Sequence, residues 1–186
     1  EIYTLSLHDA LPILMVGKGI SNLVWQMLPD AYRETQHAKA LEQYRSTYDQ
    51  NLYYELSPYP GIPELLTSLH DQGIKLAVLS NKVQEYSEEL VSSFFPGIFD
   101  CILGAGEDYP LKPDPTSATA IAESLGFNNN DILFVGDSNV DMMTAKNAGM
   151  TACGVSWGFR SREELLAAGA DHLVEKAEDI LDLLVK

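Results

Sequence analysis

The sequence predicts an α/β fold, a doubly wound parallel sheet with helices on both faces, preceded by a separate helical lobe. Three observations predict it. From Ser57 onward, short apolar runs such as LAVL and ILFV alternate with amphipathic stretches of helical length. Continuously apolar strands separated by helices are buried on both faces and pair in parallel. Gly73, Gly126, Gly149 and Gly169 each follow such a stretch, where a left-handed residue commonly ends a helix. From Gly19 to Leu56, by contrast, apolar residues recur at spacings of three and four, with no strand signal.

In the first region, Leu23, Met27 and Leu28 mark one helix, and Ala38, Leu41, Tyr44, Tyr48 and Leu52 a second. Pro29 falls between them, as a residue that can open a helix. In the second region the expected strands are 75–79, 100–103, 132–135, 152–155 and a weaker 172–174. The expected helices are 62–72, 83–94, 115–125, 139–148, 162–168 and 177–185. The resulting organisation is a non-family segment at 1–14, a partial helical cap at 15–56 and an α/β core at 57–186.

Composition narrows the function. Apolar residues make up 46% and charged residues 21% of the 186 residues, values ordinary for a globular chain. The formal charge is −15, which argues against a nucleic-acid partner, since that affinity comes mainly from Lys and Arg. Cys101 and Cys153 sit in apolar runs and read as buried, reduced small hydrophobes, which points to a cytoplasmic location. No apolar run approaches the roughly 18 residues of a membrane span, and residues 1–14 lack the basic start of a secretory signal.

Ligands of such sheets bind beyond the carboxyl ends of the strands, and chemically capable residues gather there three times. The run 75–79 leads into Ser80, Asn81 and Lys82. A hydroxyl and an amide at a strand end can receive a phosphate oxygen together with backbone N–H groups, although Ser80 could simply cap the next helix. After the second run comes Leu111-Lys112-Pro113-Asp114-Pro115. Most lysines are solvated surface groups, but the flanking prolines stiffen Lys112 into a placed cation. The third run leads into Gly136-Asp137-Ser138-Asn139-Val140-Asp141. The spacing puts Asp137 and Asp141 on one side of a first helical turn. Hard oxygen ligands beside a phosphate suit magnesium. Capping of the helix by Asp137, and attraction of Asp141 to the helix dipole, is the alternative.

The runs LAVLSNK, LKPDP, FVGDSNVDMMTAKNAGM and GVSWGFR together resemble the haloacid dehalogenase-like hydrolases, and within them the phosphoglycolate phosphatase-like members. The resemblance covers about residues 16–186 and implies a Rossmann-like core with a helical cap. It implies a Mg²⁺-dependent phosphatase acting on a small phosphate monoester through an aspartyl-phosphate intermediate. Ser80 would bind the phosphoryl oxygens, with Asn81 close behind. Lys112 would neutralise charge on nucleophile and phosphate, Asp137 would ligate Mg²⁺, and Asp141 would orient a water or pair with Lys112. The segment 157–160 would form a loop near the mouth of the site, with Arg160 an ordinary surface residue.

The chain departs from that pattern at its start. The family's nucleophile and general acid belong to a DxD motif on a first strand, and residues 1–16 contain no DxD. Asp9 follows a strand-like run at 2–7 but has no carboxylate two residues later; it is rejected as the nucleophile. Residues 1–14 resemble translated foreign or adapter sequence fused to a truncated gene. The expectation is an inactive copy whose first strand is missing or replaced. Two other readings remain, a sugar-phosphate mutase on the same core and a non-catalytic phosphate-binding module. The expected assembly is a monomer or homodimer, with a small phosphorylated metabolite as the sole partner.

Overall fold

The structure is a computed structural model that describes residues 17–184; the expectations placed on 1–16, Asp9 and the missing DxD among them, lie outside the described residues. The chain divides after Leu52 into two units.

In the first unit, α1 (Ile20–Met27) and α2 (Asp30–Gln50) follow one another, with Pro29 immediately before α2. One arginine closes the corner. Arg33 Nε donates to the carbonyls of Trp25 at 2.9 Å and Leu28 at 3.1 Å, satisfying oxygens that the end of α1 leaves without helical partners. Its guanidinium also pairs with Asp30 at 2.6 Å. The Trp25 and His37 rings meet edge to face, 5.3 Å between centroids.

The second unit alternates as expected. In order it contains α3 (Ile62–Asp71), β1 (Ala77–Val83), α4 (Gln84–Phe94), β2 (Cys101–Ala105), α5 (Thr116–Leu125), β3 (Leu133–Gly136), α6 (Asn139–Ala148), β4 (Thr151–Val155), α7 (Arg162–Ala167), β5 (His172–Val174) and α8 (Leu181–Leu184). Gly73, Gly126, Gly149 and Gly169 all have positive φ, as helix-ending glycines require.

Every described strand pairing is parallel. β1 lies beside β2, with Ala77 opposite Cys101 and Leu79 opposite Leu103. β3 lies beside β4, with Leu133 opposite Thr151 and Gly136 opposite Gly154, and β4 lies beside β5. Among the described residues the strands form a pair and a triplet that share no backbone ladder. A cavity of about 730 Å³ is lined by Ala77 and Leu79 of β1 and by Leu133–Gly136 of β3, with α5 residues Ala118, Ile121 and Ala122 along its wall.

Two cores flank the triplet. Met142, Ala145, Ala152 and Leu165 are wholly buried in one; Cys153, Val155, Val174 and Ile180 are buried in the other with Leu65 and Leu69 of α3. β4 lies between them because alternate side chains of a strand point to opposite faces.

Three expected details are corrected. β1 begins two residues later than 75 and runs on through Ser80–Lys82 to Val83, with a register shift after Leu79. The expected helix 177–185 is a 3₁₀ turn (Ala177–Ile180) followed by short α8. Cys101 is only half-buried, whereas Cys153 is fully buried. Both thiols are free, and burial pushes that of Cys153 up to about 11. Among the described residues no helix is long and apolar enough to cross a membrane.

Candidate active site

The three sequence segments meet at the carboxyl ends of β1 and β3, and Lys112 is what joins them. Its Nζ donates to the carbonyl of Leu79 at 2.9 Å and to Asp141 Oδ1 at 2.6 Å. The ion pair is nearly dry, with the two side chains 11% and 9% exposed. Buried charges persist only when paired and hydrogen-bonded, and this pair meets both conditions.

Asn81 holds the backbone of the same lysine. Its Nδ2 donates to the Lys112 carbonyl at 3.0 Å, and its Oδ1 accepts from the Lys112 N–H at 2.8 Å. The amide thereby pairs both peptide groups of Lys112 as a neighbouring strand would. Its amide oxygen and nitrogen thereby hold the lysine's backbone in place. Ser80 stands between Leu79 and Asn81, the two residues bonded to Lys112. Its Oγ accepts the Lys82 N–H at 3.0 Å, and the following helix starts only at Gln84 without a side-chain cap. Ser80 is therefore not a helix cap.

The far wall of the loop is held as well. Asn147 on α6 donates to the Pro113 carbonyl at 2.9 Å, fixing the proline-flanked segment against the helix that carries Asp141.

At β3 the cap is Ser138, not Asp137. Ser138 Oγ accepts from the Asp141 N–H at 3.2 Å, and Asp141 Oδ2 accepts from Ser138 N at 3.1 Å and Ser138 Oγ at 2.6 Å, a reciprocal capping box. Both oxygens of Asp141 are thus committed, one to Lys112 and one to Ser138. Of the two roles offered by the sequence, orienting water or pairing with lysine, the geometry shows the pairing. Gly136 makes the turn possible, because a side chain there would collide with Asp141.

Asp137 is relieved of capping. Its Oδ2 accepts from the Phe159 N–H at 3.0 Å, and its carbonyl accepts from the Arg160 N–H at 3.2 Å. Burial pushes its carboxyl above the ordinary carboxylate range; the Phe159 N–H opposes this, the neighbouring Asp141 charge adds to it, and Lys112 opposes it. Folding therefore penalises its ionised form, and a cation beside it would relieve that penalty.

Sequence reasoning reached Ser80, Lys112, Asp137 and Asp141, but not Ser138, Asn147 or the Phe159 amide. The cap was legible, since a Ser followed three residues later by an acid is a capping signature. A backbone N–H carries no residue signal; only Gly158, where a close approach is needed, hints at it.

Known proteins are similar to this chain over most of its length. The family model of haloacid dehalogenase-like hydrolases matches residues 14–155. A phosphoglycolate phosphatase of Aquifex aeolicus is 32% identical over 170 residues, covering 91% of this chain and 76% of its own length. A pyrophosphatase of Halalkalibacterium halodurans is 28% identical, covering 69% of this chain and 60% of its own. A crystal structure from Lactobacillus delbrueckii subsp. bulgaricus, described as a candidate phosphoglycolate phosphatase, superposes with a TM-score of 0.87 at 29% identity, covering 96% of this chain and 84% of that one.

Proposed function

The chain belongs to the haloacid dehalogenase-like hydrolases, and from that premise we propose that its site is built to hydrolyse a small phosphate monoester of the phosphoglycolate kind with the help of Mg²⁺. The observation that carries the reading is the dry Lys112 ammonium bonded to both Leu79, the residue before Ser80, and Asp141, in one cavity with the half-buried Asp137.

The residues fit a magnesium ion. Asp137 offers a hard anionic oxygen at a strand end. Among the described residues, no group of three His, Cys, Asp or Glu side chains could hold a metal. Mg²⁺ commonly takes one or two carboxylates and completes its shell with water and phosphate. Asp137 would hold it; Asp141, with both oxygens engaged, would not. When bound, the ion supplies charge neutralisation on the phosphoryl oxygens.

The chain's own groups then divide the work. Ser80 donates its hydroxyl proton to a phosphoryl oxygen. Lys112 places a fixed positive charge where equatorial charge builds up in phosphoryl transfer. Asn81 and Asp141 hold that lysine from its backbone and from its ammonium, so no reorganisation is needed when charge develops. The nucleophile and the acid for the leaving alcohol would be the two aspartates of a DxD pair, which residues 1–16 of this sequence do not supply. We expect the chain as written to bind phosphate and turn over nothing.

Phosphate release from a generic aryl phosphate ester, with and without Mg²⁺, tests this. The chain as written should show background rates. Replacing residues 1–16 by a DxD-bearing strand and a first cap helix should restore Mg²⁺-dependent turnover, and failure of that chimera to hydrolyse any ester would overturn the assignment. Tight phosphate binding by a folded chimera without turnover would instead favour a non-catalytic phosphate-binding module.

A further inference from the structure

One turn of the chain grips Asp137 through its backbone. It spans residues 157–160, beyond β4. The Phe159 N–H donates to Asp137 Oδ2 at 3.0 Å, and the Arg160 N–H donates to the Asp137 carbonyl at 3.2 Å. Between them and Trp157, Gly158 lies directly against the aspartate. A Cβ added there would stand 2.6 Å from Asp137 Cγ, closer than real Cβ atoms come. Phe159 is 51% exposed, and the turn holds Asp137 through its main chain and through the side chain it lacks at 158.

We propose that residues 157–160 are a positioning element for the divalent cation: the Phe159 N–H takes Oδ2 of Asp137 and sets the rotation of the carboxylate, so that Oδ1 is the oxygen presented to the ion. The inference rests on the phosphatase reading above and adds to it a residue whose backbone, not side chain, does the work. A carboxylate on a half-buried strand end rotates about its last bond unless one oxygen is tied. A charge-assisted hydrogen bond from a backbone N–H ties it at little entropic cost, because the donor is already fixed. Groups that orient a metal ligand in this way typically change metal affinity by about 10- to 100-fold when removed.

Three substitutions separate the parts. Phe159→Ala keeps the N–H and removes the ring. Phe159→Pro removes the N–H. Gly158→Ala keeps every N–H but pushes the turn off Asp137. The measurement is Mn²⁺ affinity by electron paramagnetic resonance in the presence of inorganic phosphate, with thermal unfolding as a check on the fold. F159A should stay within about twofold of the unsubstituted chain, while F159P and G158A should each bind about tenfold more weakly or worse. G158A guards against a fold lost to proline.

Unchanged affinity in folded F159P or G158A would overturn the proposal, as would a loss in F159A as large as in F159P, which would move the role to the ring. If neither the unsubstituted chain nor the DxD-bearing chimera binds Mn²⁺ even with phosphate, the phosphatase reading falls together with this inference. Binding by the unsubstituted chain that is indifferent to F159P removes the inference alone.

Discussion

The central strand of the triplet, β4, and the strand pair differ in how completely they are covered. In β4 the residues Ala152 and Cys153 are wholly buried and Val155 is 6% exposed; Met142, Ala145 and Leu165 pack with Ala152 on one face, and Leu65 and Leu69 with Cys153 and Val155 on the other. In β2, Cys101, Ile102 and Leu103 are only half-buried, and β1 is mostly so. β1 faces the cavity together with β3, whereas β4 faces a core on each side. A parallel strand draws its stability from cover on both faces, so β4 is the best-supported strand of the triplet and the pair is the less covered side. The candidate site residues are divided between them, with Asp137 just after β3, Asp141 on α6 and Ser80 on β1. Lys112 bridges the gap.

That bridge is where the largest effect is expected. Asp141→Ala would leave the Lys112 ammonium buried and unpaired, at a cost of about 3–5 kcal/mol. The double substitution Lys112→Met with Asp141→Leu removes both charges and should recover most of that loss, since apolar groups of similar volume replace a buried pair at little cost. Urea unfolding of the three chains decides it. A double variant no more stable than D141A would show that the link is held by something other than the ion pair.

The second effect compares the two sides directly. Leu165 is wholly buried in the triplet's core; Leu165→Ala should cost about 3 kcal/mol through lost transfer energy and the hole left behind. Ile102→Ala in β2, where the side chain is only half-buried, should cost about 1 kcal/mol. Equal losses would mean that the pair is as well packed as the triplet and would erase the contrast.

Much of this was legible in the sequence because the triplet is built from local signals. The run ILFV, the cap at Ser138 and the glycine at 149 sit next to one another in the chain, and helix α6 has the bounds that its pattern predicts, Asn139–Ala148. β1 was less legible. Its apolar run stops at Leu79, yet the strand continues through polar Ser80, Asn81 and Lys82. There Asn81 pairs with the Lys112 backbone, an interaction across 31 residues. Periodicity cannot report a partner so distant. For the same reason the sequence does not show Asn81 as a brace of that lysine. The bonds of the 157–160 turn to Asp137 were invisible because their donors are backbone.

One device is common to both sides and gives the smallest effect. The aspartate just before β2 and the one just before β5 clasp the preceding strand in the same way. Asp100 accepts from Lys75 Nζ at 2.7 Å and from the Leu76 N–H at 3.0 Å. Asp171 accepts from Lys146 Nζ at 2.8 Å and from the Ala152 N–H at 2.8 Å. In each case the lysine hydrogen bond, then the backbone N–H, holds the carboxyl below its ordinary range. A folded-state pKa below the unfolded value means that the unfolded chain binds the proton more readily. The contribution is therefore fully present above about pH 4 and drains away as pH falls through the depressed values. Both clasps are partly exposed, so solvent screens them and each should be worth about 0.5–1 kcal/mol. Asp100→Asn and Asp171→Asn, compared with the unsubstituted chain by thermal unfolding at pH 7 and pH 3, should lower stability at pH 7 and by less at pH 3. If the shortfall of D100N is carried unchanged to pH 3 while that of D171N shrinks, the clasp on the pair is a packing contact and only the triplet's is electrostatic.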